Sequence, residues 1–194
     1  MAHGFVIPLP CDVLVRDGTL SWDWRLPPLA AGMHPRSPLS FHSPAQLEGT
    51  PFAAGRTVVK FNSFWTVELE PGWSLFATHP VNRPDLPFRL LSGLVDADRF
   101  HDVGILFPAV WTDPRFEGVL PRGTPVAQCF PVPRAPLTLV HEGFGAAEAD
   151  RYDRTATALL SAPGVYRKRF RAGRSARGSG AGGEAAPEDA EVEP

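Results

Sequence analysis

Short apolar stretches alternate with turn residues along the middle of the chain, and this pattern decides the fold prediction. The stretches are rich in β-branched and aromatic residues, and turn pairs such as Pro71–Gly72 and Asp113–Pro114 separate several of them. Frequent short strands with rigid turns are typical of sandwiches, jelly rolls and barrels, so we predict a mainly β fold. The predicted core strands are Thr57–Phe61, Trp65–Glu70, Trp73–Thr78, Phe88–Val95, Val103–Trp111, Phe116–Leu120 and Pro125–Val132.

One stretch has the pattern of an α-helix. Residues Ala146–Ser161 are rich in Ala, Leu, Glu and Arg, contain no Gly or Pro, and stop before Pro163–Gly164. The apolar residues Tyr152, Ala156 and Leu159 recur near helical spacing. We therefore predict one C-terminal helix after the β core.

The two ends of the chain differ from its middle. Near the start, Asp12–Val15 and Thr19–Trp24 flank an Asp-Gly pair that favours a tight hairpin turn. After Ala172 the sequence consists mainly of Gly, Ser, Ala and acidic residues, which cannot build a core. The predicted organisation is a loop-rich N-terminal wrap at 1–50, a β-barrel core with the helix at 51–172, and a disordered tail at 173–194.

Composition narrows the class of protein further. The 194 residues include 22 prolines, which argue against a helical bundle because proline disfavours helix interiors. The net charge of −2 provides no general attraction to nucleic acid or membranes. No apolar run approaches the roughly 20 residues of a membrane span, and the N-terminus lacks a signal-peptide pattern. Cys11 and Cys129 are interpreted as reduced thiols, with one disulfide as the alternative, so we predict a cytoplasmic protein.

Two carboxylates stand two residues apart where a predicted strand ends. In an extended chain Asp96 and Asp98 point to the same side, because side chains alternate between the faces of a strand. Neighbouring carboxylates shift one another's pKa towards the range that a general base needs. The alternative is a solvated turn, or a salt bridge to Arg99 or Arg83.

Histidines offer a metal site as a further alternative. The chain has six, and no two have the His-x-His or His-x-x-x-His spacing that aims two rings at one ion from one element. A site assembled from distant parts, such as His79, His101 and Asp98, stays open as an alternative. Separate imidazoles are the preferred interpretation, and we predict neither a metal nor a cofactor.

Aromatic and basic residues interleave at Tyr166–Arg171, a pattern that also occurs where proteins bind single-stranded nucleic acid. Only one such patch is present, and an acidic tail follows it. We interpret it as a docking segment, and do not predict nucleic acid as a partner.

Three segments together resemble a known enzyme group. Gly93–Phe100 resembles the Gly-Val-Ile-Asp-x-Asp-Tyr-Arg motif of the deoxyuridine triphosphatase and deoxycytidine triphosphate deaminase families. Gly118–Gln128 resembles their Ile-x-x-Gly-x-x-Ile-Ala-Gln segment, and Val67–Trp73 their strand with a Pro-Gly turn. The resemblance implies a β-clip or jelly-roll-like barrel, a water-activating role for Asp96, and a homo-oligomer, either a trimer or a dimer.

The chain departs from that group at three places. Arg99 stands at the aromatic position of the motif, and His101 stands where the family pattern has a glycine. Thr78–Asp85 replaces the Arg-Ser-Ser phosphate-binding segment. Asn82 and Arg83 are the expected anion-binding residues there, because guanidinium binds phosphate or carboxylate through two parallel hydrogen bonds. Residues 40–172 also resemble an uncharacterised bacterial and phage family, which implies no particular chemistry.

These patterns lead to a functional hypothesis. We predict a small-molecule enzyme, hydrolytic in type, that acts on an anionic, nucleotide-like metabolite. Asp96 would be the general base, and His101 a second proton carrier. The alternatives are a non-catalytic metabolite- or nucleotide-binding module, and a tailoring enzyme of secondary metabolism that only shapes a reactive substrate. The predicted catalytic residues are Asp96, Asp98 and His101, and the predicted substrate-binding residues are His79, Asn82, Arg83, Arg99, Trp73 and Trp111.

Overall fold

The computed structural model describes residues 4–25, 32–52 and 57–171, and within them the fold is mainly β, as predicted. The predicted disordered tail at 173–194 and part of the predicted N-terminal wrap lie outside the described residues. No helix in the described part is long and apolar enough to cross a membrane. The strands are β1 (Phe5–Pro8), β2 (Val13–Arg16), β3 (Thr19–Ser21), β4 (Leu39–Phe41), β5 (Val58–Asn62), β6 (Trp73–Thr78), β7 (Phe88–Leu90), β8 (Gly93–Val95), β9 (Leu106–Trp111), β10 (Gly118–Leu120) and β11 (Pro125–Pro133).

The strands form three antiparallel sheets. The first has the order β1-β11-β6-β8, the second β10-β2-β3, and the third β4-β5-β9-β7. In the described part of the chain, the first and last strands of each sheet do not pair with each other, so no sheet closes on itself. A β-clip or jelly-roll barrel therefore stays a prediction. Strands from the N-terminal wrap join all three sheets: β1 the first, β2 and β3 the second, and β4 the third.

One apolar core is shared by the three sheets. Its largest fully buried side chains include Phe61 from β5, Phe88 from β7 and Phe107 from β9. Leu75 of β6 and Val13 of β2 belong to the same cluster, so every sheet contributes. Burial of this kind contributes roughly 1.5–3 kcal/mol for each large side chain and fixes the positions of the strands.

The predicted N-terminal hairpin is confirmed. Strands β2 and β3 pair in register from Leu14 opposite Ser21 to Arg16 opposite Thr19. The two loop residues have positive φ, 49° at Asp17 and 69° at Gly18. Two consecutive residues of this kind form the turn whose twist matches that of the strands it joins.

Two predicted strands differ from the structure, and two observed strands were not predicted. Trp65–Glu70 forms no strand; it runs beside the core, and its Leu69 N–H donates to the Ala97 carbonyl at 3.3 Å. The predicted strand Phe88–Val95 is two strands, because β7 pairs with β9 whereas β8 pairs with β6. Two strands in the predicted wrap, β1 and β4, were not predicted at all.

The described chain divides into two compact units, one ending at Leu137 and the other starting at Thr138. The second unit contains the predicted helix, α1 (Ala146–Ser161), which is confirmed with the same bounds. At its start, the backbone N–H of Gly145 donates to Glu148 Oε2 at 3.1 Å. A π-helical turn at Tyr166–Phe170 follows.

Candidate functional site

Five of the nine predicted site residues, Asp96, Asp98, His79, Asn82 and Arg83, lie near the two ends of one strand, β6. Asp96 and Asp98 follow β8, whose register pairs Val95 with Leu75 near the start of β6. His79 and the residues after it follow the other end, at Thr78. Six residues of strand span about 16 Å, since each residue advances about 3.3 Å. The structure therefore forms two separate groups rather than one assembled site.

The first group, which we name the Arg134 cluster, consists of Ser74, Asp96, Asp98 and Arg134. The two guanidinium nitrogens of Arg134 donate to the two carboxylate oxygens of Asp98, with Nη1 to Oδ1 at 2.8 Å. The same Nη1 lies 3.2 Å from Asp96 Oδ1 and 2.9 Å from the Trp73 carbonyl. Both predicted acids thus contact a single cation, and the strand itself ends at Val95, so the acids do not lie in an extended segment. The cation is Arg134, not the Arg99 or Arg83 of the salt-bridge alternative.

Asp98 is held from two sides. Its side chain is only 6% exposed, and Oδ2 also accepts the backbone N–H of Gly72 at 2.9 Å. The hydrogen bonds from Arg134, and then that from Gly72, hold the pKa of Asp98 well below its usual range. The carboxylate therefore stays ionised to a lower pH than an ordinary aspartate, and both of its oxygens accept hydrogen bonds.

Asp96 is more accessible than its neighbour. Its Oδ1 accepts from the Ser74 hydroxyl at 2.7 Å and from Arg134, whereas its side chain is 52% exposed. Among the described residues, Oδ2 has no hydrogen-bond partner. Ala97, between the two acids, is fully buried, and a turn begins at Asp96, whose carbonyl accepts the backbone N–H groups of Arg99 and Phe100.

The second group surrounds a loop that begins at His79. Nδ1 of His79 accepts the backbone N–H of Leu90 at 3.3 Å, so Nε2 carries the proton and donates to the Arg83 carbonyl at 2.9 Å. Gln128 accepts the backbone N–H of Val81 through Oε1 at 3.0 Å. These bonds fix the backbone of the loop, and they occupy both ring nitrogens of His79.

The loop presents an arginine and an asparagine. Asn82 has a φ of 62°, in the left-handed region that asparagine tolerates better than most residues. The Arg83 guanidinium donates to both oxygens of Asp85, at 2.8 and 2.7 Å, and lowers the pKa of Asp85 to about 2. Arg83 is therefore oriented, and its charge is balanced, by a carboxylate of the same loop.

These residues surround an open depression of about 770 Å³, which we name the His79 depression. It brings together three of the predicted substrate-binding residues, His79, Asn82 and Arg83. It also includes Arg89, which sequence reasoning missed; this exposed residue has no ionic partner in the part of the chain described. The lining residues are Thr78, His79, Pro80, Val81, Asn82, Arg83, Pro84, Leu86, Phe88, Arg89 and Thr112.

The remaining predicted site residues lie apart from both groups or act through their backbone. Trp73 contributes only its carbonyl to the Arg134 cluster, and the Trp111 indole donates to the Asp113 carbonyl at 2.7 Å. Arg99 is exposed, and its backbone N–H donates to the Asp96 carbonyl. His101 Nε2 is 3.9 Å from Asp102, which is too long for a hydrogen bond.

Sequence reasoning missed Arg134, which organises the first group. It lies 36 residues after Asp98, just beyond β11, and its backbone N–H donates to the Gly72 carbonyl at 2.8 Å. Only the pairing of β11 with β6 brings it there, and no local motif indicates that pairing. Among the described residues, no group of three or more His, Cys, Asp or Glu side chains could hold a metal ion.

No protein-family model, curated protein or solved structure matches this chain. The resemblance to the deoxyuridine triphosphatase group therefore stays a prediction.

Proposed function

We propose that this protein is a non-catalytic binding module for an anionic small molecule, which binds in the His79 depression. The observation that supports this function most strongly is that the charged side chains of the two groups differ in whether they already have an ionic partner. Both acids that a hydrolase would use contact Arg134, whereas Arg89 faces solvent without an ionic partner among the described residues.

The charges around the depression favour an anion. Arg83 is balanced by Asp85, so Arg89 supplies the net positive charge of the lining. A guanidinium presents several N–H donors in a plane and binds carboxylate or phosphate through two parallel hydrogen bonds. Asn82 adds an amide to the same lining.

The backbone of the depression is already fixed without a ligand. His79 bonds to Leu90 and Arg83, Gln128 holds Val81, and the hydroxyls of Thr78 and Ser92 lie 2.8 Å apart. A preformed site loses little conformational entropy when it binds, which favours affinity. Gln128, the last residue of the Gly118–Gln128 segment, thus supports this loop.

Hydrolysis is the second candidate function, and one observation favours it. Asp96 keeps one carboxylate oxygen unbonded among the described residues and is 52% exposed, so a substrate can reach it. In that case Asp96 would orient or activate a water. The conversion of a substrate, and its loss on Asp96→Asn, separates this function from binding alone.

Calorimetric titration tests the proposal with dUTP and citrate as anionic probes and uridine as the neutral control. We expect one of the two anions to bind, Arg89→Met to weaken it about tenfold or more, and Asp96→Asn to leave the affinity unchanged. Arg16→Met is the matched control, because Arg16 is an exposed arginine on a different sheet. Equal binding by Arg89→Met would overturn the site, and release of pyrophosphate or phosphate from dUTP that Asp96→Asn abolishes would establish the hydrolase instead.

A further inference from the structure

A second concave surface, the aromatic cleft, shares no lining residue with the His79 depression. Its volume is about 470 Å³, within the range of roughly 300–1,000 Å³ that is typical of small-molecule sites. The cleft is lined by Ile7, Pro8, Leu9, Pro10, Trp24, Asn62, Ser63, Phe64, Trp65, Arg122 and Gly123.

Three aromatic residues form one side of this cleft. Trp24 meets Phe64 edge to face, with ring centroids 4.6 Å apart and planes at 85°. His34 stacks on Phe64 at 5.0 Å, so the Phe64 ring is held by two neighbours. The Trp65 side chain beside it is 69% exposed, an unusual exposure for so large an apolar ring.

Buried polar groups fix the backbone that carries these rings. Ser63 is 2% exposed; its hydroxyl donates to the Trp65 carbonyl at 2.9 Å and accepts the Trp65 N–H at 3.1 Å. Asn62 donates from its amide to the Ser37 carbonyl at 2.8 Å. A Cβ at Gly104 would lie 2.3 Å from the Ser63 carbonyl oxygen, so the neighbouring segment also packs tightly here. These contacts therefore hold the backbone from Asn62 to Trp65 in place.

Arg122 carries the only charge among the described residues that line the cleft. Its backbone N–H donates to Asp12 Oδ1 at 2.6 Å, and the next residue, Gly123, has a φ of 86°. This turn fixes where Arg122 leaves the backbone. Its guanidinium makes no ion pair within the described part of the chain, and the residue is exposed.

We infer that the aromatic cleft binds a flat aromatic ligand carrying an anionic group, with its ring against Trp24 and Trp65 and its anionic group at Arg122. An aromatic ring gains from stacked or edge-to-face contact with indoles. A carboxylate, sulfonate or phosphate gains a charge-assisted hydrogen bond from the guanidinium. A neutral ring or an aliphatic anion would lose one of these two contributions.

The test follows the indole N–H signals of the five tryptophans by NMR while 2-naphthoate is added, after each signal is assigned by a Trp→Phe variant. We expect the Trp24 and Trp65 signals to shift saturably, and those of Trp73 and Trp111 to stay in place. Two matched probes, 2-naphthylmethanol and cyclohexanecarboxylate, should bind about tenfold more weakly or worse, because each lacks one contribution.

Arg122→Met is the decisive variant, since an exposed side chain can be replaced without loss of the fold. We expect it to weaken 2-naphthoate about tenfold while leaving 2-naphthylmethanol unchanged. Arg16→Met, on an exposed position of β2, should behave as the unmodified protein. Equal affinities for 2-naphthoate and 2-naphthylmethanol, unchanged affinity in Arg122→Met, or no saturable shift at Trp24 and Trp65 would each overturn the inference.

Discussion

The two ends of β6 hold similar residue types but use them differently. At the Arg134 cluster, the guanidinium and both carboxylates bond to one another and to the backbone. At the His79 depression, imidazole and carboxamide groups hold the backbone, while the Arg89 side chain has no ionic partner among the described residues. The hydrogen bonds a charged side chain already makes, rather than its type, therefore decide whether it supports the fold or is available to a ligand.

The largest expected effect comes from Arg134→Met, which tests whether the first group is structural. The variant leaves Asp98, with a side chain only 6% exposed, as a carboxylate without its cation. An uncompensated buried charge is strongly destabilising, so we expect the largest fall in melting temperature among the variants considered. Thermal unfolding at pH 7 measures it, with Arg16→Met as the exposed control. A melting temperature equal to that of the control would show that the cluster does not support the fold.

The pH dependence of unfolding also tests whether the Arg134 cluster stabilises the fold. Because Arg134 lowers the pKa of Asp98, the ion pair stabilises the fold above the ordinary carboxyl pKa of about 3.9 and is lost as the pH falls through the lower folded value. Denaturant unfolding from pH 6 downwards should therefore show stability falling below about pH 4. Arg134→Met should flatten this slope.

The Arg83–Asp85 pair should also lose its contribution to stability as the pH falls, but this contribution should be smaller. The pKa of Asp85 is about 2, so its contribution is present above the ordinary value and is lost between about pH 4 and 2. Its carboxylate is 59% exposed, and exposed pairs are screened by salt. Asp85→Asn should change the slope less than Arg134→Met, and added salt should reduce the difference further. A larger change from Asp85→Asn would reverse the assigned roles.

His79→Phe tests the support of the depression. It removes the acceptor for the Leu90 N–H and the donor for the Arg83 carbonyl. Leu90 is buried, and one buried unsatisfied group costs about 1–3 kcal/mol, whereas water can reach the less buried Arg83. We expect urea unfolding to show a loss in this range and anion binding to weaken, because the loop loses its fixed backbone. Unchanged binding would indicate that the loop is held by other contacts.

The smallest expected effect concerns Asn82, whose φ is 62°. Asn82→Ala should cost about 1 kcal/mol, because a left-handed backbone is strained for alanine. Asn82→Gly should be nearly neutral, because glycine adopts positive φ without a Cβ clash. Urea unfolding of both variants measures the difference, and equal stabilities would contradict a strained backbone at this position.

Local patterns predicted most strands of the core, but they did not predict β1 and β4, whose partners lie far away in the sequence. The Asp17–Gly18 turn and α1 depend on neighbouring residues, so both were predictable. Trp65–Glu70 has strand-like composition but no ladder, because strand formation also needs a partner with free hydrogen-bonding groups. The strand β4 was not predicted because the prolines around it are typical of loops. It nevertheless pairs with β5 at the edge of its sheet, where nearby prolines are tolerated.

Residues of the candidate site were likewise predictable where they are close in sequence, and were missed where strand pairing brings them together. His79, Asn82 and Arg83 are close in sequence, and they line one depression as predicted. Arg134 and Arg89 reach their places through the β11–β6 and β7–β9 pairings, which connect distant segments. The paired acids were found from their spacing, but the cation that binds them was not, since its position depends on a strand register that sequence alone does not reveal.

Amide chemical-shift mapping of the full chain with the anion that binds observes both ends of β6 at once and so locates the ligand. Binding in the His79 depression should give saturable shifts at Val81, Asn82 and Arg89, and none at Gly72, Ser74 and Asp98, which lie at the Arg134 end. Shifts confined to Gly72, Ser74 and Asp98 would contradict it and would place the ligand at the paired aspartates.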